Sequence, residues 1–233
     1  MRPRIRSGKR KSGLLRRILL GLSALLVAFY LLCGFALIAL KWIDPFTTGV
    51  QVQRRIQAFT ARRPYHKRYM FVPLRRISPD LQHAVLASED ERFFEHHGID
   101  WKEVNEVVDR DIDRGQLGRG ASTVTQQLVK NLFFTTSRSF VRKAIEFSLA
   151  LPADFILGKQ RVLELYLNVI EWGPGVYGAE AAANFYYKVP AARVGREQAA
   201  RLAAIIPAPL KRKPARMEEA SARILDRMRA MGW

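Results

Sequence analysis

Residues 77–100 read ISPDLQHAVLASEDERFFEHHGID. The first half has the marks of a helix. Ser78 can cap it, Pro79 suits the first helical position because its missing N–H would go unpaired there anyway, and Leu81, Val85 and Leu86 recur at helical spacing. The second half gathers Glu89, Asp90, Glu91 and Glu95 beside His96 and His97, with Phe93 and Phe94 between them. Three readings compete for this crowding: a solvated helix end, a metal site, or a catalytic carboxylate held by its neighbours. Metal ligation is weakly signalled, since Glu91 and Glu95 stand four apart but the histidines crowd the end before Gly98. The catalytic reading is stronger. Glu89 follows an apolar helix, so it can sit at a cleft edge, where partial burial raises a carboxylate's pKa toward a base's working range. Glu91 and Glu95 then read as solvated.

Toward the C-terminus, RGQLGRGAS (114–122) is a glycine-rich flexible loop. Ser122 is expected to cap the helix TVTQQLVKNLFF, and Ser139 to cap FVRKAIEFSLALPADFIL, which Pro152 should bend or interrupt. KQRVLELYLNVIEW is a further amphipathic helix and GPGVYG a turn, followed by helices AEAAANFYY, REQAARLAAII and MEEASARILDRMRAM. Strand signals are almost absent and no internal repeat is visible. The domain therefore reads as mainly α.

Toward the N-terminus, residues 41–69, rich in arginine and proline, read as a linker, with the domain proper at 70–233. Before the linker, residues 18–40 form 23 uncharged positions, ILLGLSALLVAFYLLCGFALIAL. As a helix rising ~1.5 Å per residue this run crosses a hydrocarbon core, and it exceeds the apolar region of a cleaved signal peptide. Cys33 lacks the small residue expected before a lipid-modified cysteine, since Leu31 and Leu32 precede it. Residues 1–17 carry eight Arg and Lys side chains and no acid, the mark of a cytoplasmic tail, which sends the rest of the chain outward. The net charge of the whole chain is +18; without that tail, 31 basic residues still face 21 acidic ones. A basic exported domain at a bilayer is drawn to anionic headgroups or to a phosphate-bearing lipid. Nucleic acid is the usual partner of so basic a chain, but the anchor puts this domain where nucleic acid is scarce, so none is expected as a partner. Cys33, the single cysteine, lies in the span, so the domain has no disulfide and relies on its core.

A second polar cluster lies at 118–131, GRGASTVTQQLVKN. On a helix Ser122, Gln126 and Lys130 share one face, with Thr123 and Gln127 beside them. Such a stripe at a helix N-terminus after a glycine loop suits an anion, although it is not the phosphate loop of nucleotide hydrolases, and an ordinary polar helix face remains open. In RSFVRKAIE, Arg142 and Glu146 can simply pair on a surface, or Arg138, Arg142 and Lys143 can extend the anion site, with Glu146 binding a divalent cation or orienting the bases.

Together these segments resemble the peptidoglycan glycosyltransferases, glycosyltransferase family 51. The first family motif, E-D-x-x-F-x-x-H-x-G, is present as Glu89, Asp90, Phe93, His96 and Gly98. The second, G-x-S-T-x-T-Q-Q-L-x-K-N, runs from Gly120 to Asn131; the third, R-K-x-x-E, is Arg142, Lys143 and Glu146; the fourth, K-x-x-x-L-E-x-Y-L-N, is Lys159 to Asn168. The resemblance covers roughly residues 70–230. Asp154 stands for the acid usual before the fourth motif, and YYKVP replaces a more common aromatic-Gly-Lys run.

The resemblance implies a lysozyme-like α fold with a smaller membrane-proximal lobe near residues 110–140. It implies polymerisation of lipid II, the undecaprenyl-pyrophosphate-linked disaccharide-pentapeptide, onto a growing glycan chain. Glu89 would be the general base on the acceptor 4-hydroxyl, with Asp90, Phe93, His96 and Gly98 as its supporting shell. Ser122, Gln126, Gln127, Lys130, Arg138 and Arg142 would hold the pyrophosphate, and Glu146 would assist through a divalent cation (Mg2+ or Mn2+) or by positioning bases. A single-pass protein of the bacterial inner membrane is implied, with a periplasmic catalytic domain and other cell-wall synthesis or division proteins as partners. Two rivals stand beside it. A lysozyme-like glycan hydrolase has no use for a pyrophosphate stripe, and an inactive cell-wall scaffold would be free to lose Glu89 and Glu146.

Overall fold

The structure, a computed structural model, describes residues 8–114, 122–137 and 139–233. The loop at 115–121, residues 1–7 of the tail and Arg138 therefore lie outside the described residues. Ten α-helices are described: α1 (Gly8–Leu40), α2 (Gly49–Thr60), α3 (Pro79–Glu89), α4 (Trp101–Arg114), α5 (Val124–Phe133), α6 (Phe140–Leu157), α7 (Lys159–Val169), α8 (Ala179–Tyr187), α9 (Arg196–Ala203) and α10 (Glu218–Ala230). Three short strands, β1 (Arg68–Tyr69), β2 (Glu171–Gly173) and β3 (Val176–Tyr177), form a sheet of order β1-β3-β2, parallel between β1 and β3 and antiparallel between β2 and β3. The mainly α expectation holds, and a lysozyme-like arrangement is consistent with it. The sheet was not expected, because strands of two or three residues are too short to show a period of two.

α3 forms as its sequence demands. Ser78 Oγ accepts from the Leu81 N–H at 3.1 Å, Pro79 opens the helix, and Leu81, Ala84, Val85 and Leu86 are buried against α9 and α10. α5 lies in the core between α6 and α7, with Val124, Leu128 and Val129 fully buried. Residues 124–133 are thus part of the central packing and not of a separate lobe. The cap of α5 is Thr123 and not Ser122: Thr123 Oγ1 accepts from the Gln126 N–H and Gln126 Oε1 from the Thr123 N–H, a reciprocal capping box. α6 runs unbroken through Pro152, which leaves one carbonyl without its helical donor but does not interrupt the helix.

The expected linker at 41–69 needs correcting, since it contains α2 and β1. α2 is capped by Thr48, buries Val50 and Gln51, and packs on α5. The approach is so close that a Cβ on Gly49 would lie 2.6 Å from the Phe134 carbonyl oxygen. Its arginines (Arg54 and Arg55) disguise the helix as linker sequence.

α1 begins well before Ile18. Its stretch Leu15–Leu40 has a mean hydropathy of 2.5, and at ~1.5 Å per residue it is long and apolar enough to cross a membrane. Leu15, Ile18, Leu19 and Leu22 in its N-terminal part are exposed, whereas its C-terminal part packs on the domain: Cys33 and Leu37 are buried, Phe29 meets Phe134, and the Tyr30 and Ser148 hydroxyls lie 2.6 Å apart.

Candidate active site

The chain after α3 is tied to the start of α5 by hydrogen bonds that leave Asp90 little freedom. One Asp90 oxygen accepts from the Val124 N–H at 2.9 Å, and the carboxylate bonds His96 Nε2 at 2.9 Å. An acid at a helix N-terminus meets an unpaired N–H group and the positive end of the dipole. Thr123 Oγ1 donates to the Gly98 carbonyl at 2.6 Å. Gly98 has φ +79°, and a Cβ there would lie 2.5 Å from the Ala150 oxygen on α6, so both the turn and the close approach require glycine. Phe93, 1% exposed, lies under the Lys159 ammonium at 4.6 Å, and Lys159 in turn pairs with Asp154 at 2.9 Å. Thr125 also donates to Asp154. The four expected shell residues Asp90, Phe93, His96 and Gly98 lie together in this loop, and of them Asp90 also lines the cavity that Glu89 faces.

Glu89, the last residue of α3, is held differently. Its Oε2 accepts from Gln127 Nε2 at 2.8 Å and its Oε1 more weakly from Ser88 Oγ at 3.3 Å. The side chain lines a cavity of about 340 Å³ shared with Ser88, Asp90, Arg92, Ser122 and Arg227. Burial pushes its carboxyl above the ordinary range. Gln127, Ser88 and the Lys130 charge oppose that shift, and Asp90 adds to it. Gln127 Oε1 accepts in turn from the hydroxyl of Tyr166, a fully buried residue of α7, at 3.0 Å.

The cations collect one turn further along α5 and on α6. Arg142 and Glu146 form a close ion pair on α6, with Glu146 2% exposed. Lys143 Nζ donates to Ser122 Oγ at 2.7 Å and reaches Gln126 Oε1 at 3.4 Å. Burial lowers the pKa of both Lys130 and Lys143, while the Glu146 charge holds each up. Two buried donors in this cluster, Gln126 Nε2 and Arg142 Nε, have no hydrogen-bond partner among the described residues. That is the state of a site built to receive acceptor oxygens. Lys130 also lines a second cavity, of about 320 Å³, with Gln127, Asn131, Arg54, Glu171 and Lys211. Of the expected anion-holding residues, Ser122, Gln126, Lys130 and Arg142 are thus brought together, whereas the Gln127 amide faces Glu89 and Tyr166.

The donor sets bear on metal binding. Glu146 stands among Arg142, Lys143 and Lys130 and, among the described residues, in no cluster of metal-ligating side chains, so this cationic setting does not fit a resident divalent cation, which needs several oxygen ligands. The one grouping among the described residues with ligand atoms within 4.8 Å of one another is Asp90, His96 and Asp100. There the sequence reading missed Asp100. Its carboxylate is already taken by Arg92 at 2.8 Å and by the Glu103 N–H at 3.0 Å, as Asp90 is by Val124 and His96. Both carboxylates of the group are thus engaged in hydrogen bonds, and His96 Nδ1 is its one buried side-chain nitrogen without a partner among the described residues.

Sequence reasoning missed two further features. Tyr166 stands inside the fourth motif, but the motif says nothing of its contact with Gln127. Arg54 of α2 forms a bidentate pair with the buried Glu171 at 2.9 Å and so closes one wall of the second cavity. No signal marked Arg54, because it lay in the expected linker.

A family model described as Transglycosylase matches residues 53–230. Three curated relatives, each named biosynthetic peptidoglycan transglycosylase, align over most of their length. One from Laribacter hongkongensis is 41% identical over 84% of this chain and 87% of its own. One from Rhizobium etli is 44% identical over 94% and 90%, and one from Thiobacillus denitrificans 46% identical over 79% and 80%.

Proposed function

The chain belongs to the transglycosylase family, and on that premise we propose that it polymerises lipid II into linear peptidoglycan strands with inversion at the anomeric carbon. The observation that carries the proposal is the pairing of Glu89, a carboxyl raised by burial on a cavity wall, with the half-satisfied cationic cluster of Lys130, Arg142 and Lys143. Glu89 takes the proton of the acceptor's sugar 4-hydroxyl. That oxygen bonds to the anomeric carbon of the growing chain as the bond from this carbon to the pyrophosphate oxygen breaks, and the lipid pyrophosphate leaves with the electron pair. A raised pKa suits the base, because proton transfer is most efficient when the group titrates near the working pH.

The pyrophosphate would rest on Lys130, Arg142 and Lys143, with the Gln126 amide and Ser122 beside them, and Arg138 would extend this group. Fixed cations aimed at the departing charge lower the barrier electrostatically. Glu146 acts by holding Arg142 in place. A Mg2+ or Mn2+ ion would be held mainly by the substrate's own phosphate oxygens, and it would supply further neutralisation of the leaving group. The hydrolase reading is less favoured, because Glu146, the second acid, is bound to Arg142 and offers no free carboxylate to activate water.

The apolar α1 and the basic N-terminal residues support a single-pass protein of the inner membrane with the domain on the periplasmic side. Contacts with other cell-wall synthesis or division proteins would follow from that location. The test is direct. Incubated with labelled lipid II and Mg2+, the purified chain should yield glycan polymer and leave preformed strands intact. Cleavage of strands without polymer would overturn the reading in favour of the hydrolase.

A further inference from the structure

Gln127 is a single side chain between the two cavities. It lines the one that holds Lys130, and its amide is bonded to Glu89, which lines the other. An amide has two ends of opposite polarity, and only one end serves an ionised carboxylate. Here Nε2 donates to Glu89 Oε2 at 2.8 Å and to the Ser122 carbonyl at 3.3 Å, and Oε1 accepts from the Tyr166 hydroxyl at 3.0 Å. Turned over, the amide would set its oxygen against the Glu89 carboxylate, where nothing could be donated. Tyr166 supplies the donor that favours the correct end. It is fully buried on α7 and lines neither cavity.

The geometry points to Tyr166 as a positioning residue for the transfer reaction, acting through Gln127 to keep a hydrogen-bond donor on Glu89. This rests on the reading of Glu89 as the base. Burial holds the phenol well above its ordinary pKa, so it stays protonated throughout the working pH range and does not lose its donor. Without that hydroxyl the Gln127 amide is free to turn, and the charged form of Glu89 loses part of its stabilisation. The carboxyl should then titrate higher, and less of it is ionised at a given pH. Other charges also face Glu89. Lys130 comes from α5, Asp90 and Glu91 follow in the chain, and Arg92 and Arg227 line the same cavity with Asp100, Glu103 and Glu106 across it. Tyr166→Phe alters none of them and keeps the ring that packs in the core.

The experiment is a carbon-13 carboxyl titration of the full chain in detergent, with the Glu89 signal assigned by its loss in Glu89→Gln, run beside lipid II kinetics. Tyr166→Phe should raise the Glu89 midpoint by roughly half to one pH unit, and lower kcat/KM roughly three- to tenfold on the acid side of that midpoint with KM unchanged, the two pH profiles converging above it, as expected for weakening one hydrogen bond to a charged group. Gln127→Met should raise the midpoint as well, and the double variant should match Gln127→Met alone, since the two side chains act in series. An unchanged midpoint in Tyr166→Phe, or additive shifts in the double variant, would overturn the role of Tyr166 while an inactive Glu89→Gln leaves the base in place. Wild-type polymerisation by Glu89→Gln would overturn both.

Discussion

Glu89 and Asp90 are adjacent in the chain and open onto two regions built on opposite terms. From Asp90 to Gly98 the polar groups are mostly taken: Asp90 is shared between His96 and the first N–H of α5, and the loop carbonyl at Gly98 is taken by Thr123, with His96 Nδ1 left without a partner among the described residues. Around Glu89, Lys130 and Lys143, charges are instead desolvated, their pKa values are pushed toward neutrality, and buried donors are left without partners. A region that has met most of its own hydrogen bonds holds shape. A region that has not is prepared for a ligand that will. The two are joined through α5, whose N-terminus anchors the loop and whose next turns carry Gln127 and Lys130.

The contrast breaks first at Glu89. Glu89→Gln should lower polymerisation by about 10²–10⁴-fold, the range for losing a general base, yet it should melt higher than wild type at neutral pH. Because the folded carboxyl titrates above its unfolded value, its contribution to stability is present in acid and is lost as pH rises through the folded midpoint. A permanently neutral side chain escapes that loss, so the two proteins should converge near pH 4, where both are neutral. Melting scans at the two pH values check this, and a lower melting point at neutral pH would place Glu89 with the structural loop.

Lys130→Ala should cost about 10²–10³-fold in turnover through lost stabilisation of the leaving charge, with little change in melting because a desolvated ammonium is removed. Steady-state rates and calorimetry together test it; a collapse in stability would make Lys130 structural. On the other side of the comparison, Asp90→Ala should destabilise by about 2–4 kcal/mol, since it strands the buried His96 and the Val124 N–H. Gly98→Ala should cost about 1–3 kcal/mol for its positive φ and the clash with Ala150. Denaturant melts measure both. Smallest of all, Glu91→Gln should change stability by less than ~0.5 kcal/mol, because its 3.4 Å pair with Arg227 is half exposed on both sides.

The same division explains what could be read from sequence. Helix α3 was legible because Ser78 and Pro79 are local signals and its apolar spacing is regular. The cap of α5 slipped by one residue because Ser122 and Thr123 are chemically alike at that position, and only the reciprocal hydrogen bonds between Thr123 and Gln126 in the folded chain decide between them. Helix α2 was hidden because its arginines serve a tertiary pairing, Arg54 with Glu171, more than 100 positions away. Glu89, Lys130 and Glu146 were legible as residues of ordered motifs. The side on which Gln127 acts was not, because an amide's orientation is decided by Tyr166 and Glu89, which come from two other helices.

The most direct test of the central claim, that Glu89 is a buried base, is the pH dependence of kcat/KM for lipid II polymerisation by the wild-type chain between about pH 4 and pH 8. The rate should rise with pH through a single midpoint clearly above the ordinary glutamate value of about 4.3, and that ascent should vanish with the activity in Glu89→Gln. A flat profile across this range, or a midpoint at or below the ordinary value, would contradict the account.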